Sequence, residues 1–468
     1  MSTTIWDASA VQPKVVIVGP SAVAWANPSI MQYGGVERVG WRLAQLLTDI
    51  GCDAIPVAPA DSQFSPNVST RGFWPQQSWC RPDRRPLAYA EDVPSLLADH
   101  SRHVVSLLNS ERPDVVFFLG PSPEVLSAVV SETPDMIDRS VVALHNGPSD
   151  NTQTVPLLKR FKQLKLLALT EAQRRAFGDI AGRIEVISDG IVVDAVPFSP
   201  DPSAARARLF EQGINSLANL RPGRPVIGQI DYFHPNKGML VSLAMYHAAG
   251  LPDTHDLILA GGMGWQLPSR HESITPTAGI RYLAAIHAFI KANGLTDRVQ
   301  VLGALTGVQT LCLLGCIDVV VSPVRVNHGP LWPDPTGDQD PESYGQGRAN
   351  ANAAGTPVLM SNKYDRSCIP RDRYDLRFGD FATGVARLQQ LALRKITAGE
   401  RAEMRAFAQE RDSFIPSFKR YLAIIGQYVA QSRGVAVEFS EAAFNQASRS
   451  LVALEAAATQ SADLPKNS

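Results

Sequence analysis

The sequence lacks the features that mark several protein classes. Its 468 residues include five cysteines, an odd and scattered set that predicts no disulfide framework. No apolar run approaches the roughly 20 residues that span a bilayer. The N-terminal stretch MSTTIWDASAVQPK has neither the basic start nor the apolar run of a signal peptide. These absences predict a reduced, cytoplasmic protein without a transmembrane segment.

The chain also lacks an excess of either charge sign. The formal net charge is -1, and no basic arm, zinc-finger spacing or aromatic–basic interleaving occurs, so no nucleic-acid partner is expected. One basic amphipathic stretch remains, LLKRFKQLK (157–165). It favours a helix packed by its leucines with solvated lysines, and the alternative is peripheral contact with a membrane surface.

What the sequence does contain is an alternation of strand-like apolar runs with helical patterns. This alternation predicts an α/β fold, and the chain length predicts two domains. We expect two Rossmann-like, doubly wound domains facing a central cleft, with ligands beyond the carboxyl ends of the strands. The predicted strands are KVVIVG (14–19), DVVFFLG (114–120), VVALHNG (141–147), KLLALT (165–170), IEVISDG (184–190), VIGQI (226–230), DLILAGG (256–262), RVQVLG (298–303), DVVVSP (318–323) and TPVLM (356–360).

Composition divides the chain into five segments. An N-terminal domain (1–195) is followed by a proline-containing linker (196–225) and a C-terminal domain (226–415). A crossover helix (416–435) and an Ala-rich helical extension with a tail (436–468) complete the chain. The extension is expected either to pack on the N-terminal domain or to mediate self-association.

Three short motifs follow predicted strands and contain residues that could bind a ligand. Gly34 and Gly35 of QYGGVERV open a helix, where free N–H groups suit an anion, although ordinary turns also use paired glycines. His145 ends a strand, where it could donate to a hydroxyl or carbonyl group, or be an ordinary loop histidine. Lys237 of HPNKG could pair with a phosphate, the alternative being a solvated lysine.

The stretch DPESYGQGRANANAAGTPVL (340–359) places a carboxylate beside the start of a small-residue helix. A phosphate there would meet N–H groups near Gly345 and the guanidinium of Arg348. Glu342 would repel a phosphate, so it should face neutral hydroxyl groups such as those of a sugar. The preceding loop invites a metal hypothesis, but its prolines and irregular spacing do not match a calcium loop; its acidic residues are Asp334, Asp338 and Asp340.

Taken together, these stretches resemble the family 4 glycosyltransferases, retaining enzymes of the GT-B architecture. The resemblance runs in register from about Lys14 to about Val429. GGVERV resembles the N-terminal glycine loop, VISDGIVVDAVPF the segment at the domain junction, and PNKG the lysine-bearing turn. SP followed by ESYG and AAGTPV resembles the donor-binding signature.

The resemblance implies transfer of a sugar from a nucleotide-diphosphate donor to an unknown acceptor, with no metal and no separate cofactor. The acceptor is a saccharide, a lipid-linked molecule or a small molecule. The N-terminal domain would face the acceptor, and the C-terminal domain would bind the donor. Glu342, His145 and Lys237 are implied as catalytic. The implied donor-binding residues are Gly34, Gly35, Lys237, Glu342, Ser343, Tyr344, Gly345, Arg348 and Asn350.

Two departures from the family pattern matter. Asn350 stands where a second glutamate grips the ribose, and Asp231-Tyr232 stands where Gly-Arg supplies a diphosphate cation. Arg348 or Arg325 is expected to replace that cation. The departures keep open a catalytically inactive nucleotide-sugar-binding or regulatory protein. Epimerisation of a nucleotide sugar is another alternative, and a dinucleotide-dependent oxidoreductase ranks lowest because G-x-G-x-x-G is absent.

Overall fold

The computed structural model describes residues 4–5, 12–20, 23–28, 35–78, 92–148, 151–211, 223–262, 277–326, 341–342, 344–369, 377–435 and 437–461. Some residues singled out in the sequence lie outside these ranges. They are Gly34, Cys80, Asp334, Asp338, Asp340 and Ser343.

Helices and strands alternate along the described chain. The first run of elements is β1 (Thr4–Ile5), β2 (Lys14–Val18), α1 (Gly35–Asp49), β3 (Asp53–Val57), α2 (Val93–Glu111), β4 (Val115–Leu119), α3 (Pro123–Glu132), β5 (Ser140–Leu144), α4 (Thr154–Arg160), β6 (Lys165–Ala168), α5 (Glu171–Ala176) and β7 (Ile184–Val186). The second run is α6 (Pro202–Glu211), β8 (Val226–Ile230), α7 (Met239–Ala248), β9 (Asp256–Ala260), α8 (Thr277–Ala292), β10 (Val299–Leu302), α9 (Gly307–Cys316), β11 (Val319–Ser322), α10 (Gln346–Ala354), β12 (Val358–Met360), α11 (Phe381–Leu393) and α12 (Ala398–Phe407). The last elements are α13 (Phe414–Arg433), β13 (Val437–Glu438) and α14 (Glu441–Ser461).

The chain divides into two compact units. The first contains most of the chain up to Asp189 together with Phe414–Ala457, and the second contains Gly190–Ser413. The first boundary therefore falls a few residues before the expected position at 195. Helix α6, which lies within the expected linker (196–225), packs on the second unit, where the Arg206 guanidinium donates to the Cys316 carbonyl at 2.7 Å.

The first unit is built on a parallel sheet with the strand order β3-β2-β4-β5-β6-β7. Every residue of β4 and β5 is buried, as expected of parallel strands covered on both faces. Strand β2 has β3 on one side and β4 on the other, so the direction of strand addition reverses there. In open α/β sheets, ligands bind at such a reversal, beyond the carboxyl ends of the strands.

The second unit repeats this plan with the strand order β10-β9-β8-β11-β12, all parallel. Strand β8 is central and pairs with β9 on one side and β11 on the other. Its core joins the sheet to the helix α7, in which Met239, Val241 and Leu243 are fully buried. The reversal of this unit therefore lies between β8 and β11, and their following loops are the place to look for a site.

The Ala-rich extension packs on the first unit. Helix α14 presents Glu455 to Arg42 of α1, and the two side chains form a buried bidentate ion pair at 2.7 and 2.9 Å. Phe444 of α14 stacks on Phe418 of α13 with 5.8 Å between ring centroids. Of the two expectations for this segment, packing on the N-terminal unit is the one observed within the chain.

The basic stretch 157–165 does not form one amphipathic helix. Helix α4 ends at Arg160 and β6 begins at Lys165. Leu158 and Leu164 are buried in the core of the first unit, and Lys159 pairs with Asp179 at 3.0 Å. Among the helices in the described ranges, none is long and apolar enough to cross a membrane.

Candidate functional site

The loop that follows β8 brings Lys237 between two carboxylates. The Lys237 Nζ atom lies 3.7 Å from Oδ1 of Asp231 and 3.5 Å from Oε1 of Glu342. It also lies 5.4 Å from the centroid of the Tyr232 ring. The side chain of Lys237 is 16% exposed, so this cluster is enclosed yet still reachable from solvent.

The backbone carbonyl of Lys237 is fixed by two consecutive hydrogen bonds through Gln229 and Ser242. The amide Nε2 of Gln229, in β8, donates to the Lys237 carbonyl at 2.6 Å. The hydroxyl of Ser242, in α7, donates to Oε1 of Gln229 at 2.6 Å. These contacts fix the loop on the central strand and the helix behind it, so Lys237 is positioned before any ligand arrives.

Glu342 reaches the same point from the segment before α10. Its backbone N–H donates to the Lys363 carbonyl at 3.0 Å, and the residue is buried. Gly345 precedes α10 with a φ of 70°, and a Cβ there would lie 2.5 Å from Cε1 of Tyr364. The Tyr364 hydroxyl in turn lies 2.8 Å from the Ser322 hydroxyl at the end of β11. The start of α10, Glu342 and Lys237 therefore share one end of the sheet.

The charges in this cluster influence one another. Burial raises the pKa of Asp231 to about 6; Lys237 opposes this change, and Glu342 adds to it. Burial acts to lower the pKa of Lys237, but the carboxylates of Asp231 and Glu342 hold it well above its usual range. Lys237 is therefore cationic throughout the physiological pH range, whereas Asp231 changes charge near its lower end.

The glycine after Lys237 is tightly confined, and this gives a stability prediction. Gly238 has a φ of 70°, and a Cβ there would lie 2.4 Å from the Pro323 carbonyl oxygen. We expect Gly238→Ala to cost about 1–2 kcal/mol for the left-handed backbone and a further 1–3 kcal/mol or so for overpacking. The measurement is the free energy of unfolding in denaturant.

Gly250→Ala is the matched control for this prediction. Gly250 has a similar φ of 66°, but a Cβ there would meet nothing within 4 Å. It should therefore show the backbone cost alone. Equal losses in the two variants would contradict the close packing of the Lys237 loop against Pro323.

The Arg348 guanidinium is bonded to another residue of the protein. Its side chain is fully buried, and its two terminal nitrogens donate to the Asp412 carboxylate at 2.8 and 2.9 Å. The Tyr344 hydroxyl donates to Oδ1 of the same carboxylate at 3.1 Å, and the guanidinium lies over the Tyr344 ring. The two terminal nitrogens of Arg348 and the Tyr344 hydroxyl are thus engaged within the protein, which favours structural roles for both residues over the predicted contact with a diphosphate.

Asn350 and Arg325, the other residues linked to the departures, are also described. Asn350 lies in α10 and is buried along with the following small residues up to Ala354, because α10 packs closely between α9, α12 and the sheet. Arg325 has a left-handed φ of 59°, and its N–H donates to the Asn236 carbonyl at 2.7 Å. Such a conformation is sparsely populated for a non-glycine residue and often occurs at functional sites.

In the first unit, His145 directly follows β5 and is buried. Its Nδ1 atom lies 3.2 Å from Oδ2 of Asp189. A carboxylate accepts, so the hydrogen of this contact belongs to Nδ1. The Nε2 atom is buried without a hydrogen-bond partner among the described residues. Gly35 is the first residue of α1, after the loop that follows β2.

Several site neighbours could not be identified from the sequence as partners. Asp231 was noted as a departure, but its contact with Lys237 was not expected. Asp189 and Tyr364 were not singled out at all. Their position gave one signal, since Asp189 lies near the end of a predicted strand and Asp231 and Tyr364 closely follow predicted strands. Among the described residues, no group of three or more His, Cys, Asp or Glu side chains is placed to hold a metal ion.

The two parallel sheets with alternating helices have the GT-B architecture. No protein-family profile matches the sequence, and no curated protein matches it. Similar solved structures include sucrose-phosphate synthase from Thermosynechococcus elongatus, 16% identical, with a TM-score of 0.66 over 90% of this chain and 100% of that one.

A second similar structure is Anabaena HepE in complex with UDP and glucose, 18% identical, with a TM-score of 0.61 over 89% of this chain and 100% of that one. A third is a UDP-forming α,α-trehalose-phosphate synthase from Burkholderia xenovorans, 13% identical, with a TM-score of 0.60 over 88% of this chain and 99% of that one. At these identities the likeness establishes the fold, and the chemistry has to be argued from the site.

Proposed function

We propose that this protein is a cytoplasmic retaining glycosyltransferase that moves a sugar from a nucleotide-diphosphate donor to an acceptor hydroxyl without a metal ion. The observation that carries the proposal is the convergence of Lys237, Glu342 and the start of α10 at the reversal of the second sheet. The GT-B fold, shared with glycosyltransferases, supports it.

Each group has a role that follows from its charge. Lys237 stabilises the negative charge that grows on the leaving diphosphate, and the N–H groups at the start of α10 act in the same direction. Glu342 accepts hydrogen bonds from sugar hydroxyls, and His145 of the first unit helps to orient the sugar. Arg348 is engaged by Asp412, and Arg325, the other arginine named in the sequence analysis, is the proposed source of a second positive charge.

The bond changes need no protein base. The acceptor oxygen forms a bond to the anomeric carbon on the face that the leaving group departs from, while the bond from that carbon to the phosphate oxygen breaks. The acceptor proton passes to the leaving phosphate oxygen. The positioned acceptor and the exclusion of water then favour transfer over hydrolysis.

One observation favours a second candidate, a nucleotide-sugar-binding protein without catalytic activity. Lys237 already has two carboxylates within 4 Å, which reduces the positive charge available to a leaving diphosphate. In that case the protein would bind a nucleotide sugar and leave it intact.

Thermal unfolding with UDP, GDP and ADP, each without metal, tests the binding site. A nucleotide at a hundredfold its dissociation constant should stabilise the protein by about 2.7 kcal/mol, and the corresponding nucleoside should do so much less. Release of nucleoside diphosphate from the matching nucleotide sugar, with the anomeric configuration of the product read by NMR, then separates the enzyme from the binding protein. No stabilisation by any of the three nucleotides would refute both.

A further inference from the structure

The charge balance around Lys237 is unusual for a site that receives a diphosphate. Lys237 carries one positive charge, and Asp231 and Glu342 each place a carboxylate oxygen within 4 Å of it. With both acids ionised, the cluster has a net charge of minus one. The diphosphate of a nucleotide sugar is itself a dianion, so it would approach a cation whose charge is already offset.

Lys237 and Tyr364, two of the groups that surround Asp231, keep their charge state near neutral pH. Lys237, on the same loop, stays charged because both carboxylates stabilise its cation. Burial and the Glu342 carboxylate raise the pKa of Tyr364, which faces the cluster from the loop after β12, so it stays neutral. Tyr232 and His234 lie side by side on the Asp231 loop, and Arg325 approaches that loop through its backbone.

Glu342 and Asp231 occupy different positions relative to the phosphate side of the site. Glu342 enters from the segment before α10 and is the proposed acceptor for sugar hydroxyls, a role that needs the ionised form. Asp231 directly follows the central strand β8, and its N–H is fixed to the Ala260 carbonyl at 2.9 Å. The Asp231 backbone is thus anchored at the end of the sheet, and its carboxylate lies 3.7 Å from Lys237 Nζ, where the diphosphate is expected.

We propose that Asp231 is a donor-binding residue that couples binding of the donor to the uptake of one proton. The inference rests on the proposed function. With a proton from solvent on its carboxyl group, Asp231 stops repelling the diphosphate and donates its O–H to a phosphate oxygen, while Lys237 provides the positive charge. Without that proton, the site disfavours the dianion.

The coupling has a measurable size. Burial places the pKa of Asp231 at about 6, so at about pH 7.5 only about one molecule in thirty carries the proton. If binding requires the protonated form, the apparent dissociation constant is the intrinsic one divided by that fraction. We expect a nucleotide sugar to bind about 30-fold more tightly at about pH 5 than at about pH 7.5.

The experiment is a calorimetric titration of the full-length chain with UDP-glucose, GDP-mannose and ADP-glucose across this pH range. These probes are diphosphate diesters, so they have no phosphate proton that titrates near pH 6, unlike a nucleoside diphosphate. Asp231→Asn should remove most of the pH dependence and bind at about pH 7.5 nearly as tightly as the unmodified protein does at about pH 5. Glu410→Gln, which removes an exposed carboxylate of the same unit, should change neither property.

The outcomes separate the two proposals. A dissociation constant independent of pH, or an unchanged pH dependence in Asp231→Asn, overturns the inference and leaves the proposed function standing. No binding of any nucleotide sugar to either protein at any pH overturns the proposed function and the inference with it. If Asp231→Asn does not fold, the unmodified protein still decides, because the parent nucleoside should bind without the pH dependence that its nucleotide sugar shows.

Discussion

Replacing Lys237 with alanine is expected to lower kcat/KM for the nucleotide sugar about 10²–10³-fold. Lys237 is the cation at the reversal of the second sheet, and its Nζ atom lies within 4 Å of Glu342, the proposed sugar contact. The charge on the leaving diphosphate grows as its bond to the sugar breaks, so a fixed cation stabilises the transition state more than the bound donor. The loss should therefore appear in kcat as well as in KM.

Lys291→Ala provides the control for this change. Lys291 is an exposed lysine of α8 in the same unit, so its loss alters the net charge equally without touching the site. Unfolding curves of both variants are needed, because Lys237→Ala also leaves Asp231 and Glu342 without their shared cation. A well-folded Lys237→Ala protein with unchanged kcat/KM would remove Lys237 from the mechanism.

Much of the fold could be predicted because apolar runs report burial directly. All ten predicted strands are present, with ends shifted by a few residues. Strand β3 was missed because DAIPV contains Pro56, a residue that lacks an N–H and normally argues against a strand. Its place at the edge of the sheet explains the exception, since an edge strand pairs on one side only.

The candidate site was predictable as a location and only partly as a set of contacts. Lys237 and Glu342 were both chosen from short motifs, and the structure brings their charged groups to 3.5 Å. The ion pair of Arg348 with Asp412 left no local signal, because 64 residues separate the partners. The pairing of Arg42 with Glu455 spans 413 residues and was equally out of reach of local patterns.

Removing Asp412 is the second change with a large expected effect. Asp412→Ala would leave the Arg348 guanidinium without a counter-ion. Because the Arg348 side chain has no exposed surface, water could not solvate that charge. Breaking a buried pair from one side typically costs 3–5 kcal/mol or so. The Tyr344 hydroxyl would also lose its side-chain acceptor and keep only the backbone carbonyl of residue 412. We expect a loss of about that size in the free energy of unfolding, measured in denaturant.

The double variant Arg348→Met with Asp412→Leu tests the origin of that loss. Replacing both charges with apolar groups removes the desolvation cost together with the attraction, so it should be less destabilising than Asp412→Ala alone. Such a result would locate the cost in the unpaired guanidinium rather than in the loss of packing. A double variant as unstable as the sum of the single ones would argue against this explanation.

The same variants decide whether Arg348 has a role in the donor site. If its guanidinium serves Asp412, the folded double variant should bind the nucleotide sugar with a dissociation constant close to that of the unmodified protein, because Lys237 and Glu342 are unchanged. If Arg348 instead supplies the diphosphate cation, binding should weaken by tenfold or so in the double variant, whatever its stability. The two hydrogen bonds to Asp412 favour the first result, since a guanidinium that moved to a phosphate would leave a buried carboxylate unpaired.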